Sequence, residues 1–358
     1  MPTNTMSSTA PADLVKAPIF FNPNRVYRIY KGGKLFSDFF GDDSEDGNYP
    51  EEWIASPIKA RNEGPKNERE GLATVQGTDI SLASLLKDFP QEMTGGRRFD
   101  VLVKALDSAI RLPAQTHPDK AFARTHLNSD YGKTESWLIL ATRPGAAIYY
   151  GFKDGVRLAD LERISAQSEH DRDAFLEIMQ EVPVKPGDLW LIPAGTMHAI
   201  GAGCLLLEIQ EPTDFVVSPE HWCESYRLPA SLMYQGLEPR TALTSFNFSL
   251  AGQRAIDAGR RIPKPLEKSD TYTREALITY QDTPCFAVTR HILNGGNCSL
   301  RGPAIFVVAE GKGVLRQGGS SREIKRGDYF FLPLAAKDVV AETGTSLQII
   351  ECQPSKRD

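Results

Sequence analysis

Lys185-Pro186-Gly187-Asp188-Leu189-Trp190-Leu191-Ile192-Pro193 has a counterpart at Lys325-Arg326-Gly327-Asp328-Tyr329-Phe330-Phe331-Leu332-Pro333. Both read Lys-x-Gly-Asp, four apolar residues, then Pro. The Gly-Asp pair suits a tight turn, the apolar run has the length of a buried strand, and the proline ends it. Each copy lies in a stretch of short apolar runs, residues 182–209 in one case and 271–353 in the other. A repeated turn-and-strand unit within two β-rich segments predicts two related barrels.

Outward from these copies the pattern is mixed. Residues 18–30, 52–56, 136–140 and 147–150 read as strands. Residues 81–93 carry Leu82, Leu85, Leu86 and Phe89 at helical spacing, and 99–110 repeat it with Leu102, Leu106 and Ile110. Residues 158–180 read as helical, with a polar break at 168–173. The expected organisation is an N-terminal unit over 1–228 with helical insertions at about 81–110 and 158–180. A linker of mixed helical character over 229–268 and a C-terminal unit over 269–358 follow. The acidic stretch 41–51 and the mixed-charge stretch 61–71 read as solvated loops, and 1–16 as a loose arm.

Composition narrows the function. Formal net charge is -5, so no basic surplus exists to neutralise nucleic-acid phosphates. No run of about 18 apolar residues appears, so no membrane-spanning helix is expected. Five scattered cysteines without a CxxC pair predict reduced thiols. With no signal-peptide core at the N-terminus, the expected setting is cytoplasmic.

The chemistry concentrates in Gln115-Thr116-His117-Pro118-Asp119-Lys120. Alternation along an extended segment puts Gln115 and His117 on one face, as a barrel interior requires. Glu135 closes Gly132-Lys133-Thr134-Glu135, and His198 follows the first repeat by five residues past its proline. The second copy has Asp338 at that place, so the metal site is expected only in the N-terminal unit. A lone histidine in either context is more often structural, and a lone glutamate more often a surface group. Together Gln115, His117, Glu135 and His198 offer two imidazoles, one carboxylate and one amide oxygen, a set that suits Zn²⁺ and admits other divalent metals. With one carboxylate against a double charge, such a site keeps Lewis acidity. His126, His170, His221 and His291 show no ligand spacing.

These motifs resemble type I mannose-6-phosphate isomerases, zinc-dependent cupin enzymes. The likeness runs through Tyr30-Lys31-Gly32-Gly33-Lys34-Leu35, the Glu-Trp of 50–56, Gln-x-His-Pro-Asp, Gly-Lys-x-Glu, Pro-x-Gly-x-x-His-Ala and Glu208-Ile209-Gln210. The resemblance implies a mainly β fold of two cupin-type (jelly-roll) barrels with helical insertions. It also implies a sugar or sugar-phosphate substrate, and proton transfer between C1 and C2 through a cis-enediol. The family's metal ligands fall on Gln115, His117, Glu135 and His198. The likeness nominates Lys133 and Glu208 for proton handling or substrate contact, Asp214 for positioning, and Lys120 as a basic group at the mouth. Two positions depart from the family. An arginine expected four residues after Asp214 is Ser218, and a phosphate-contacting serine two before Gln115 is Pro113. Arg111 and Arg227 are candidate replacements. The departures leave an unphosphorylated or modified sugar as an alternative substrate; a non-catalytic sugar sensor and an Fe²⁺ cupin oxygenase are the readings from other classes.

Overall fold

The two Lys-x-Gly-Asp turns fold alike in the computed structural model, which describes residues 10–62 and 69–356. In each, the Asp N–H returns to the Lys carbonyl, at 3.1 Å for Asp188 and 2.9 Å for Asp328. In each, the Asp carboxylate accepts the Lys N–H, at 3.0 and 2.8 Å. Gly187 and Gly327 adopt φ of 91° and 90°, where side chains are disfavoured. Each glycine N–H then bonds to a neighbouring strand, Gly187 to Ile139 O and Gly327 to Val308 O. The strands Leu189–Ile192 and Tyr329–Leu332 follow.

The fold is mainly β and its sheets are antiparallel. One sheet runs in the order Arg260–Arg261, Leu189–Ile192, Glu135–Thr142, Cys204–Gln210, Leu102–Ser108, Glu51–Ile54, Arg25–Val26. A three-stranded sheet joins Met179–Pro183, Ala147–Phe152 and His198–Ile200. The largest sheet takes the C-terminal strands between Lys264 and Gln353, plus Ile19–Phe20 from near the N-terminus, which pairs with Phe330 and Phe331. One apolar core joins the two large sheets, with Val103, Leu207 and Ile209 on one side and Val288, Ile305, Val307 and Ile350 on the other. A second core lies under the helix Leu158–Gln167 and holds Trp137, Tyr150, Trp190 and Phe175.

Three expectations change. Residues 102–108 form a strand, not a helix. All seven are buried, because one face packs into the core with Val103 and Ala105 and the other into the core with Leu106. A strand covered on both faces loses its two-residue alternation, and Leu102 and Leu106 then mimic a helical stripe. The insertion over 158–180 is helical only to Gln167. Ala174–Glu177 makes one 3₁₀ turn, and Met179–Pro183 is already strand. The single strand expected at 18–30 is two short ones in different sheets, with Pro23 between them. Within the expected N-terminal arm, residues 1–9 lie outside the described residues, while Pro11–Leu14 is a helical turn. Residues 63–68 of the charged loop also lie outside them. All five cysteines are free and buried, as expected for reduced thiols. No helix among the described residues is long and apolar enough to cross a membrane.

Candidate active site and metal centre

Backbone pairing assembles the centre. Gln115 and His198 exchange both N–H···O bonds, each 2.9 Å. The Lys133 N–H bonds to Pro118 O at 3.0 Å, drawing the Glu135 segment against the His117 segment. Gly132 permits that approach, since a Cβ there would stand 2.6 Å from Pro118 O. His117, Glu135 and His198 consequently offer ligand atoms within 4.8 Å of one another.

The protons point away from this point of convergence. His117 Nδ1 lies 2.8 Å from Phe215 O and His198 Nδ1 lies 2.9 Å from Thr196 O, so each Nδ1 carries the hydrogen and each Nε2 a lone pair. His117 Nε2 faces Glu135 Oε2 at 3.2 Å, and His198 Nε2 faces Glu135 Oε1 at 3.5 Å. Both Glu135 oxygens are buried without a hydrogen-bond partner. Lys133 Nζ stands 3.1 Å from Glu135 Oε2 as an ion pair, and 3.1 Å from His117 Nε2. Burial, then the charge of Lys133, lowers the His117 imidazole. Burial, then His117, takes His198 down to about 3. Burial alone would raise the Glu135 carboxyl, yet Lys133 and His117 hold it well below the usual range. Lys133 offsets the Glu135 Oε2 and His117 side of this convergence, but Glu135 Oε1 and the acceptor His198 Nε2 still face each other at 3.5 Å, an arrangement that a cation between them would stabilise. Gln115 Nε2 is 3.4 Å from His198 Nε2, and turning that amide over presents its oxygen there instead. The residues therefore fit a divalent metal with nitrogen and oxygen ligands.

Beside the centre opens a cavity of about 790 Å³ lined by Gln115, Lys133, Glu208, Asp214, Lys104, Arg28, Glu51 and Arg61, among others. Its floor is a buried charge cluster. Lys104 Nζ lies 3.3 Å from Glu208, 3.7 Å from Glu51 and 3.8 Å from Asp214. Arg28 spans Glu51 at 3.0 Å and Asp214 at 3.2 Å. Glu51 also accepts from the Tyr30 hydroxyl and, at 2.6 Å, from Trp53 Nε1. Burial would raise Glu51 and Asp214, but Arg28 and Lys104 hold both below the ordinary carboxylate range. Glu208 goes the other way. Burial first, and then the charge of Glu135, push it up despite Lys104. One carboxyl of the cluster is thus set apart, with raised proton affinity beside the metal centre, as proton transfer requires.

No family model matches the chain. It is 29% identical over 326 residues to mannose-6-phosphate isomerase ManA of Bacillus subtilis (strain 168), covering 88% of this chain and 93% of that one. The crystal structure of the mannose 6-phosphate isomerase from Bacillus subtilis superposes with a TM-score of 0.73 at 25% identity, over 94% of this chain and 99% of that one. Over most of its length the chain is similar to mannose-6-phosphate isomerases. A mannose 6-phosphate isomerase crystallised with zinc and yttrium shares the fold, with a TM-score of 0.68 at 15% identity over 95% of this chain and 100% of that one.

Within this fold, Gln115, His117, Lys133, Glu135, His198, Glu208 and Asp214 come together. Three substrate-binding candidates do not. Arg111 is held by Glu220 at 2.5 and 2.8 Å, Arg227 by Glu169 at 2.5 Å, and Lys120 by Glu211 at 2.9 Å; none lines the cavity. Each charge is matched by a carboxylate from a distant part of the chain, which sequence proximity to the motifs does not reveal. Asp119, inside the Gln-x-His-Pro-Asp motif, caps the helix Lys120–His126 by accepting the Phe122 N–H at 2.7 Å. Ser218 lines the cavity, but its hydroxyl donates to Ala114 O at 2.9 Å. Sequence reasoning missed Arg28, Tyr30, Glu51, Lys104 and Arg61. The available signal was a charged residue inside an otherwise apolar run: Glu51-Glu52 before Trp53-Ile54, and Lys104 among Leu102, Val103, Ala105 and Leu106.

Proposed function

We propose that this chain is a metal-dependent aldose–ketose isomerase of sugar phosphates, interconverting mannose 6-phosphate and fructose 6-phosphate. The observation that carries the metal part is the buried Glu135 carboxylate, paired with Lys133 through Oε2 alone, between two histidine nitrogens that are themselves acceptors. Gln115, His117, Glu135 and His198 would hold the ion, and the zinc in a family structure makes Zn²⁺ the first choice. When bound, a divalent ion supplies Lewis-acid polarisation of sugar oxygens. The two-barrel cupin architecture and the 1–228, 229–268 and 269–358 division belong to the same proposal. The shared Lys-x-Gly-Asp turns support them.

In this reading Glu208 takes the proton from one carbon and returns it to the next through the cis-enediol. Its raised proton affinity and its position on the cavity wall support that role. Trp137 Nε1, 3.3 Å from Glu208 Oε2, fixes the direction of the carboxyl. Lys133 and Lys104 present ammonium groups to the cavity, where negative charge develops on the sugar oxygens. Asp214 and Glu51 position Arg28 and Lys104 rather than the substrate.

Purified protein, freed of metal and reloaded with Zn²⁺, should convert mannose 6-phosphate to fructose 6-phosphate in D₂O with deuterium entering at C1 or C2. Equal turnover by the metal-free protein contradicts the reading.

A further inference from the structure

We propose that Arg61 binds the phosphate group of the substrate and so sets the preference for a phosphorylated sugar. The inference rests on the isomerase reading and names the group that holds the far end of its substrate. At the positions where the family resemblance supplies phosphate donors, this chain has none to offer. Pro113 lacks an N–H, and the Ser218 hydroxyl already donates to Ala114 O. A dianionic end group therefore needs a cation from elsewhere on the cavity wall.

Arg28, Lys104, Lys133 and Arg61 are the cations that line the cavity among the described residues. The first three face carboxylates: Arg28 faces Glu51 and Asp214, Lys104 faces Glu51, Glu208 and Asp214, and Lys133 faces Glu135. Arg61 differs. Its guanidinium has no carboxylate within ion-pair distance among the described residues, and its side chain is exposed at the wall between this cavity and a second of about 530 Å³. It is nonetheless held in place. The guanidinium lies 5.1 Å from the centroid of the Phe215 ring, and the Arg61 N–H donates to Asp214 Oδ2 at 3.3 Å.

Phe215 ties the two ends of the site together. Its carbonyl accepts from His117 Nδ1, while its ring supports Arg61. The metal end and the cationic end are thereby held in register through one residue. A planar guanidinium that meets no carboxylate among the described residues, on the same cavity wall as Lys133 and Glu208, suits a phosphate in two-point contact.

The test is Arg61→Ala and Arg61→Lys in the zinc-loaded full chain, assayed with mannose 6-phosphate and with mannose. Titration with inorganic phosphate is followed by calorimetry. Expected for Arg61→Ala is a KM for mannose 6-phosphate raised by about tenfold or more, with kcat nearly unchanged and mannose kinetics unaffected. Phosphate affinity falls by a similar factor, and Arg61→Lys recovers part of both. An active wild type whose KM and phosphate affinity are the same in Arg61→Ala overturns the assignment. If the wild type isomerises no hexose phosphate yet binds inorganic phosphate through Arg61, the isomerase reading fails and the anion site stands. If it neither turns over nor binds phosphate, both fail.

Discussion

Glu208→Gln separates the chemistry from the scaffold. The amide keeps the shape of the side chain, and its oxygen can still accept from Trp137 Nε1, now 3.3 Å from the carboxylate. Lys104 loses its contact at 3.3 Å but keeps Glu51 at 3.7 Å and Asp214 at 3.8 Å, so it is not left as an unmatched buried cation. The repulsion between Glu208 and Glu135 also disappears. The stability change should therefore stay within about 1–3 kcal/mol, and metal content should not change. What is lost is the proton acceptor. Positioned general acid–base groups contribute roughly 10²–10⁴-fold, so kcat should fall by that factor, equivalent to about 3–5 kcal/mol of barrier. The assay is proton NMR of mannose 6-phosphate in D₂O, following loss of the carbon-bound signal, with zinc measured on the same sample. Full zinc occupancy with exchange within a few-fold of wild type would refute the assignment of Glu208.

Glu135→Gln removes the only anion among the proposed ligands. The variant should not retain zinc through dialysis, and the stabilisation expected at a hundredfold excess of metal over its dissociation constant, about 2.7 kcal/mol, should vanish; a wild-type thermal shift with zinc would count against the centre. In metal-free protein, His198 titrates at about 3 instead of 6.5. The unfolded chain then takes up the proton first as pH falls, so this contribution is complete above about 6.5 and is lost progressively toward 3. Denaturant midpoints should fall over that window and fall less steeply in metal-free His198→Gln; equal slopes would contradict the burial argument. Gly132→Ala places a methyl group 2.6 Å from Pro118 O and must separate the two ligand-bearing segments. It should cost about 1–3 kcal/mol and weaken zinc retention, whereas unchanged zinc affinity would show that their close approach is not needed.

Donor types at short spacing carried most of the candidate metal centre. Gln115 and His117 alternate on one segment, Glu135 opens a strand, and His198 follows a turn already marked by Lys-x-Gly-Asp. Those features are local, because turn geometry and strand alternation act over a few residues. The repeat itself was legible for the same reason, and its two turns share their hydrogen bonds.

Tertiary structure decided the rest. Lys104 lies on a strand covered on both faces, where alternation is lost, and its meaning comes from Glu51, Glu208 and Asp214 on other segments. Arg28 likewise takes its role from Glu51 and Asp214, the latter far along the chain. Arg111, Arg227 and Lys120 looked available until their carboxylate partners were placed. Whether a charge is balanced or open to a ligand depends on what lies within a few ångströms of it in space. From the chain alone come the chemical kinds of group and the turns that aim them. Only the packing of distant strands determines which of those groups face one another, and hence which carboxyl is raised, which cation is matched and which remains to meet a substrate.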